Sequence, residues 1–364
     1  MEIAAAFGGI ALIVIVLLDA FETVVLPRRV TQRLRLTQLF YRFTWLPWAL
    51  VGRKILRSSR KENFLSFYGP LSLLLLVALW AVALIIGFAL IHYALGSQID
   101  TPEGYADFLT DIYMSGSSFF TLGLGDVAPV TPWARALAVL ESGTGFAFLA
   151  LMIGYLPALN QAFSRREIHV SLLDERAGSP PSALELLRRQ HQYKDLEGLG
   201  QIMHDWEQWS AELLEGHLSY PVLGYFRSQH DNQSWVAALT TILDTSALVI
   251  VGIQGVPSRQ AQLTFAMARH AAVDLSQVYN TPPRPMDPAR LAPDELGLVR
   301  TTLEAAGLSL TSGEAADARL VELRQMYEPY VSALSRHLLM TLPPWIPPAD
   351  IPDAWQTTAW DNPQ

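Results

Sequence analysis

Three long apolar runs decide what this chain can fold into. From Phe67 to Leu95 there is no Asp, Glu, Lys or Arg at all. A run from Ile3 to about Leu26 carries only Asp19 and Glu22 near its end, and a third from about Ala136 to Leu159 is interrupted only by Glu141. About 20 mostly apolar residues suffice for a helix to cross the hydrocarbon core of a bilayer, so each run predicts a transmembrane helix. Composition agrees: 16% of residues are charged, against roughly 25% in ordinary soluble chains. The strongest apolar runs lie before residue 163, and the remainder reads as an aqueous, mainly helical part.

The first run begins Met1-Glu2 without a basic region and is not followed by a small-residue cleavage site, so it is expected to be a retained span rather than a signal peptide. The connecting loops have opposite charge. Residues 27–62 hold ten Lys or Arg, whereas residues 96–132 hold none but five acids, Asp100, Glu103, Asp107, Asp111 and Asp126. Basic loops stay in the cytoplasm. This predicts a multi-pass protein of the cell membrane with the N-terminus and the 96–132 loop outside, and everything after Phe163 cytoplasmic. Aromatics among the arginines, Phe40 to Trp48, predict a short helix at the inner headgroup level. A fourth apolar stretch, Trp235–Ile253, contains Thr240, Thr241, Asp244, Thr245 and Ser246 and is expected to be a buried helix of the aqueous part. The absence of cysteine excludes disulfides and thiolate chemistry. A net charge of -8 argues against nucleic acid as a partner.

The chemistry lies in the acidic outer loop. Thr101-Pro102-Glu103 reads as a helix start, and Tyr105 to Phe120 can run as one helix. Thr121-Leu122-Gly123-Leu124-Gly125-Asp126 follows, then Pro129 and Pro132. Irregular backbone at membrane depth survives only inside protein or along a cavity. Gly123 and Gly125 can take positive φ, so successive carbonyls of Thr121, Leu122, Gly123 and Leu124 can face one axis and replace an ion's water shell. The negative end of the preceding helix also favours a cation there.

The stretch Tyr113-Met114-Ser115-Gly116-Ser117-Ser118-Phe119-Phe120 with Thr121–Asp126 resembles the pore domain of the potassium channel superfamily, whose usual filter is T-V-G-Y-G-D. Asp126, Pro129, Thr131, Trp133, Arg135 and Gly145 extend the resemblance, which covers residues 68–163. It implies a homotetramer conducting K+ passively, with the filter carbonyls and the Thr121 hydroxyl as ion ligands, K+ as the permeant ion and no bound cofactor or enzymatic activity. Leu124 departs from the family's Tyr. It cannot donate a hydrogen bond and is expected to pack against Tyr113 or Phe119, so a weakly selective cation channel stays open as an alternative. A membrane-anchored helical signalling protein is the alternative from another class.

Filter support is expected from Tyr113, Ser117, Ser118 and Glu141, the last bonding the filter or pairing with Arg135. Gating is expected at Gly143 and Gly145, where the third span could bend or pack closely, and at Pro157, with Tyr155, Leu156 and Leu159 at a constriction. Asp19 and Glu22, three residues apart, are expected to pair with Arg28, Arg29 and Arg33.

The sequence thus predicts an all-α membrane protein with three transmembrane helices, a re-entrant pore helix and filter loop, and a cytoplasmic helical domain. The segments are a first span over 1–27, a basic linker over 28–66 and a pore domain over 67–163. A helical domain over 164–341 and a Pro-rich tail over 342–364, extended or partly disordered, follow. Helices are expected at 183–219, started by a Ser182–Glu185 capping box, and at 232–252, 258–279, 294–306 and 313–340. No phosphate loop, ligand-like His spacing or nucleophile–base pair is found, and the regulator of this half is not legible.

Overall fold

The computed structural model describes residues 1–26, 36–54, 58–101, 104–192, 196–230, 232–253, 256, 258–285 and 290–347. The chain is an all-α membrane protein: helices dominate, and the strands among the described residues are two short pieces, Ile99–Asp100 and Ala128–Pro129. It divides into two compact units, Met1–Val51 with Phe67–Asn160, and Gly52–Ser66 with Gln161–Gln364.

In the first unit α1 (Glu2–Ala20) ends in a π-helical turn, Phe21–Val25. It packs along α4 (Tyr68–Ala94). The two helices touch at backbone level: a Cβ on Gly9 would meet the Gly87 carbonyl, and one on Gly87 would meet Ile13. Small residues permit this approach where lipid offers no hydrophobic drive between helices. Asp19 is buried and acts as a fastener. It accepts from the Thr37 amide at 3.2 Å, the Thr37 hydroxyl at 2.6 Å and Trp80 Nε1 at 3.0 Å, so it ties α1 to α2 (Leu36–Lys54) and α4. The expected partners of Asp19 and Glu22 were three arginines. Arg28, Arg29 and Arg33 lie outside the described residues.

The aromatics expected in a short helix do lie on one, α2, and divide between its faces. Phe40 and Trp45 are buried while Phe43 and Leu46 are exposed. Trp45 stacks edge-on against Tyr68 at 4.7 Å, and the Tyr68 hydroxyl meets that of Thr44 at 2.9 Å. The core joins Val16, Phe40, Leu76, Trp80 and Leu84 to Phe119 of α5 (Phe108–Phe119) and Met152 of α6 (Pro132–Ala177).

The second unit is helical: α3 (Ser58–Ser66), α7 (Ala183–Gln192), α8 (Leu196–Ser219), a 3-10 turn at Pro221–Tyr225, α9 (Trp235–Gly252), α10 (Ser258–Val278), α11 (Pro293–Ala305), α12 (Glu314–Gln325) and α13 (Glu328–Leu338). The expected 313–340 helix is therefore two helices, whereas the 183–219 helix is described as Ala183–Gln192 and Leu196–Ser219, with 193–195 outside the described residues. At Ser182 half of the capping box forms: its hydroxyl accepts from the Glu185 amide at 3.1 Å. The Glu185 carboxylate turns instead to Arg188 and Arg189, which hold it below the usual carboxylate range.

By length and composition α9 could cross a membrane, yet it is buried from Trp235 through Val249 inside this unit. Apart from the Ser246 hydroxyl, which has no partner among the described residues, its polar side chains are hydrogen-bonded there. Thr240 and Thr245 donate to carbonyls one turn back. Asp244 takes two bonds from Arg290, at 3.1 and 2.6 Å, and one from the Tyr327 hydroxyl. Arg290 also reaches Glu328 at 3.2 Å and the Pro343 carbonyl at 2.9 Å. The Trp345 ring lies 5.6 Å from the guanidinium carbons of both Arg290 and Arg324, a cation–π arrangement. Residues 342–347 are thus fastened to the helical unit, with Trp345 2% exposed, and 348–364 lie outside the described residues.

Two more arginines are buried. Arg166 donates to the Leu223 and Phe226 carbonyls at 2.8 and 2.9 Å. Burial, with Arg166 beside it, pushes the His217 imidazole down to about 3, so His217 stays neutral. Arg227 donates to the Leu338 and Leu339 carbonyls at 2.5 and 3.2 Å and pairs with Glu62 of α3 at 3.4 Å. Removing one partner of a buried ion pair leaves the other charge uncompensated. Arg290→Ala is therefore expected to destabilise this unit by about 3–5 kcal/mol, read as a lower urea midpoint of tryptophan fluorescence. The double variant Asp244→Asn/Arg290→Met should recover part of that loss.

Candidate functional site

The loop between α4 and α6 is pinned at its base. Ile99 pairs with Pro129 and Asp100 with Ala128 in an antiparallel register. The Val130 amide donates to the Gln98 carbonyl at 3.0 Å, and Arg135 Nε donates to the Pro129 carbonyl at 3.1 Å. Within the loop α5 starts at Phe108, later than expected. Its cap is Asp107, which accepts from the Thr110 amide at 2.8 Å while its own amide donates to the Thr110 hydroxyl at 3.3 Å. These bonds hold the Asp107 carboxyl below its usual range. Thr101 instead donates to the Tyr105 carbonyl at 2.9 Å, and Pro102 and Glu103 lie outside the described residues. An Asp cap with a reciprocating Thr satisfies the first orphan amides better than the Thr-Pro-Glu signal does.

At the other end α5 turns directly into the filter sequence. The Thr121 amide donates to the Ser118 carbonyl at 3.0 Å and the Leu122 amide to the Ser117 carbonyl at 2.8 Å. The contacts of Ser117 and Ser118 at this turn are made by their main-chain carbonyls. Thr121, Gly123 and Gly125 have φ of 56°, 58° and 80°, so left-handed residues alternate along the strand. Thr121 through Asp126 are all exposed on the single chain, including the apolar Leu122 and Leu124. Leu124 is 65% exposed rather than packed under Tyr113 or Phe119. The tether that Leu124 cannot supply comes two residues later: the Tyr113 hydroxyl donates to Asp126 Oδ2 at 2.8 Å. Phe119 packs against Phe120 and Phe148.

The end of α5 rests on α6. The Ser142 hydroxyl donates to the Ser118 carbonyl at 2.9 Å. A Cβ on Gly145 would overlap the Phe119 carbonyl, whereas one on Gly143 would meet open space. Gly145 therefore has a packing role in this chain. Pro157 lies inside α6, which runs unbroken from Pro132 to Ala177, and it is exposed. Tyr155 and Leu159 are buried within the chain, which leaves Leu156, 43% exposed, as the outward-facing member of the expected constriction.

Glu141 is fully buried and does not pair with Arg135, whose side chain is turned to Pro129. Its carboxylate lies 3.8 Å from His92 Nε2. Asp111 and Ser115 of α5 are buried in the same region. Sequence reasoning missed these three partners. The available signals were a lone His at the outer end of an otherwise charge-free run, and an i,i+4 pair of polar residues on one face of α5. Among the described residues no group of three or more His, Asp or Glu is arranged for a metal ion.

Residues 74–161 match the family model described as "Ion channel", which covers α5, the filter sequence and the facing parts of α4 and α6. Over this segment the chain is similar to ion-channel domains. The chain is also 25% identical, over 296 residues, to a Bacillus subtilis (strain 168) protein named "Uncharacterized membrane protein YdjJ", covering 78% of this chain and 82% of that one. That likeness is longer than the channel domain and so includes part of the helical half. No solved structure matches the chain.

In the channel domain the two glycines of α6 make separable predictions. Gly145→Ala forces the α5–α6 contact apart and is expected to cost about 1–3 kcal/mol, seen as a lower thermal midpoint of the purified protein. Gly143→Ala, facing open space, should leave that midpoint unchanged or raise it.

Proposed function

We propose that four copies of this chain enclose one K+-selective pore, with the backbone of Thr121–Asp126 from each copy lining it. The observation that carries this reading is the alternation of left-handed φ at Thr121, Gly123 and Gly125. Alternating the sign of φ turns successive peptide planes over, so that carbonyls of one strand can all face one side. Rings of such oxygens stand in for the hydration shell of a potassium ion. One chain carries one such strand, and rotational closure of like contacts supplies the others.

Three further features support the reading. The C-terminal end of α5, the negative end of its dipole, leads straight into the strand. Leu122 and Leu124 are bare in the single chain, as are Val139, Leu140, Phe146, Leu149 and Ile153 on α6. That is more contiguous apolar surface than a soluble monomer shows, and neighbouring copies and lipid would cover it. The basic 27–62 segment and the acidic 96–132 loop support an extracellular filter mouth, through which K+ would pass passively. The Tyr113–Asp126 bond offers the filter the lateral support that Leu124 cannot.

The test is ion flux with the purified full-length protein in liposomes under matched K+ and Na+ gradients. K+ should pass in strong preference to Na+. Gly123→Ala should abolish the flux, because an L side chain resists φ of this sign. Tyr113→Phe should reduce the preference for K+ while the assembly stays intact. Equal passage of both ions would make this a weakly selective cation channel, and a protein that remains monomeric in bilayers would end the reading.

A further inference from the structure

Four polar side chains are buried together among α4, α5 and α6. His92 comes from α4, Asp111 and Ser115 from successive turns of α5, and Glu141 from α6. None is more than 1% exposed. His92 faces Asp111 as well as Glu141, and Ser115 faces Glu141. Ser97, half-buried in the outer loop, donates to Asp111 Oδ2 at 2.7 Å. Its backbone is left-handed, with φ of 46°, a conformation that Ser rarely adopts and that here presents its hydroxyl to the acid. Asp107, at the head of α5, is the other charged group acting on Asp111. Both ring nitrogens of His92, both Glu141 oxygens, Asp111 Oδ1 and the Ser115 hydroxyl have no hydrogen-bond partner among the described residues.

A helix interface at this depth could be wholly apolar, and buried ionisable groups within a membrane are costly and functional by default. The separation of 3.8 Å between His92 and Glu141 exceeds a hydrogen bond and suits a bridging water. The site holds two acidic side chains and one basic one, so the groups able to take up a proton from water lie together. All three ionisable groups lie toward the ends of their helices that join the outer loop. His92 is two residues from the end of α4, Asp111 is in the first turns of α5, and Glu141 is in the third turn of α6. The Ser97 hydroxyl connects Asp111 to the outer loop.

We propose that His92, Asp111 and Glu141 form a buried proton-binding site, reached from the outer loop through Ser97, and that proton uptake there lowers ion conduction. The proposal rests on the channel reading above. The added proton makes the surroundings of α5 more positive, which disfavours cations in the filter that follows it. It also changes the charge balance that seats α5 against α4 and α6.

The experiment uses the full-length protein in liposomes, with K+ flux followed as external pH is lowered from about 8 to about 5 at constant internal pH. Wild-type flux should fall several-fold. Glu141→Gln and His92→Gln should each flatten that dependence. Wild-type flux that ignores external pH, or two variants that keep the wild-type dependence, would overturn the proposal. A second measurement needs neither flux nor active variants: infrared difference spectra of the reconstituted protein between the same pH limits. They should show a carboxyl band that titrates in this range and is lost in Glu141→Gln or Asp111→Asn, and its absence from the wild type also overturns the site. If no ion passes at any pH while this band is present, the channel reading fails and the proton site stands.

Discussion

The end of α5 meets α6 with no side chain between them. Gly145 leaves room for the Phe119 carbonyl, and the Ser142 hydroxyl takes up the carbonyl of Ser118. Filter residues begin within two positions of that contact, so the place where the strand starts is set by backbone packing rather than by flexible side chains. Phe119 carries the same constraint inward, because its ring belongs to the core built by α1 and α4. Those helices are in turn clamped by the Gly9–Gly87 approach and by Asp19. A strand whose carbonyls must be held at ion-coordinating distance needs such a rigid foundation, since it has no side-chain core of its own.

The strand is fixed from above as well. Tyr113 and Asp126 link the middle of α5 to the residue that closes the filter sequence. The short β ladder and Arg135 hold the following segment against the start of the outer loop. Support therefore reaches the filter at both ends while its central residues, Gly123 and Leu124, remain exposed in the single chain. This distribution suits a surface completed by other copies.

Features governed by runs of like residues were legible in the sequence. The three apolar runs became long helices, and the buried character of α9 followed from its threonines and Asp244. The filter glycines took the positive φ that only glycine adopts freely. Pairwise matters across long sequence separations were not legible. Nothing local marks His92 as a neighbour of Glu141, or Trp80 and Thr37 as partners of Asp19. The start of α5 was misplaced because Thr101-Pro102-Glu103 is a good local signal that lost to Asp107 and Thr110. Arg166 and Arg227 are each buried and bound to carbonyls at the ends of helical turns. A guanidinium can satisfy several acceptors at once, and that use leaves no periodic trace.

The partition of the chain has a further consequence. The helical half is not one continuous piece of sequence, because it also takes in Gly52–Ser66. Leu65 packs over Gly52, and Glu62 neutralises Arg227 from that inserted piece. The two units are consequently spliced by peptide bonds at 51–52, 66–67 and 160–161. A fragment cut only after the last apolar run would strand Arg227 without its carboxylate. Within the intact chain, the helical unit is continuous through the backbone with the residues that lead into α4 and with α6 itself, so both helices that flank the filter sequence are covalently attached to it.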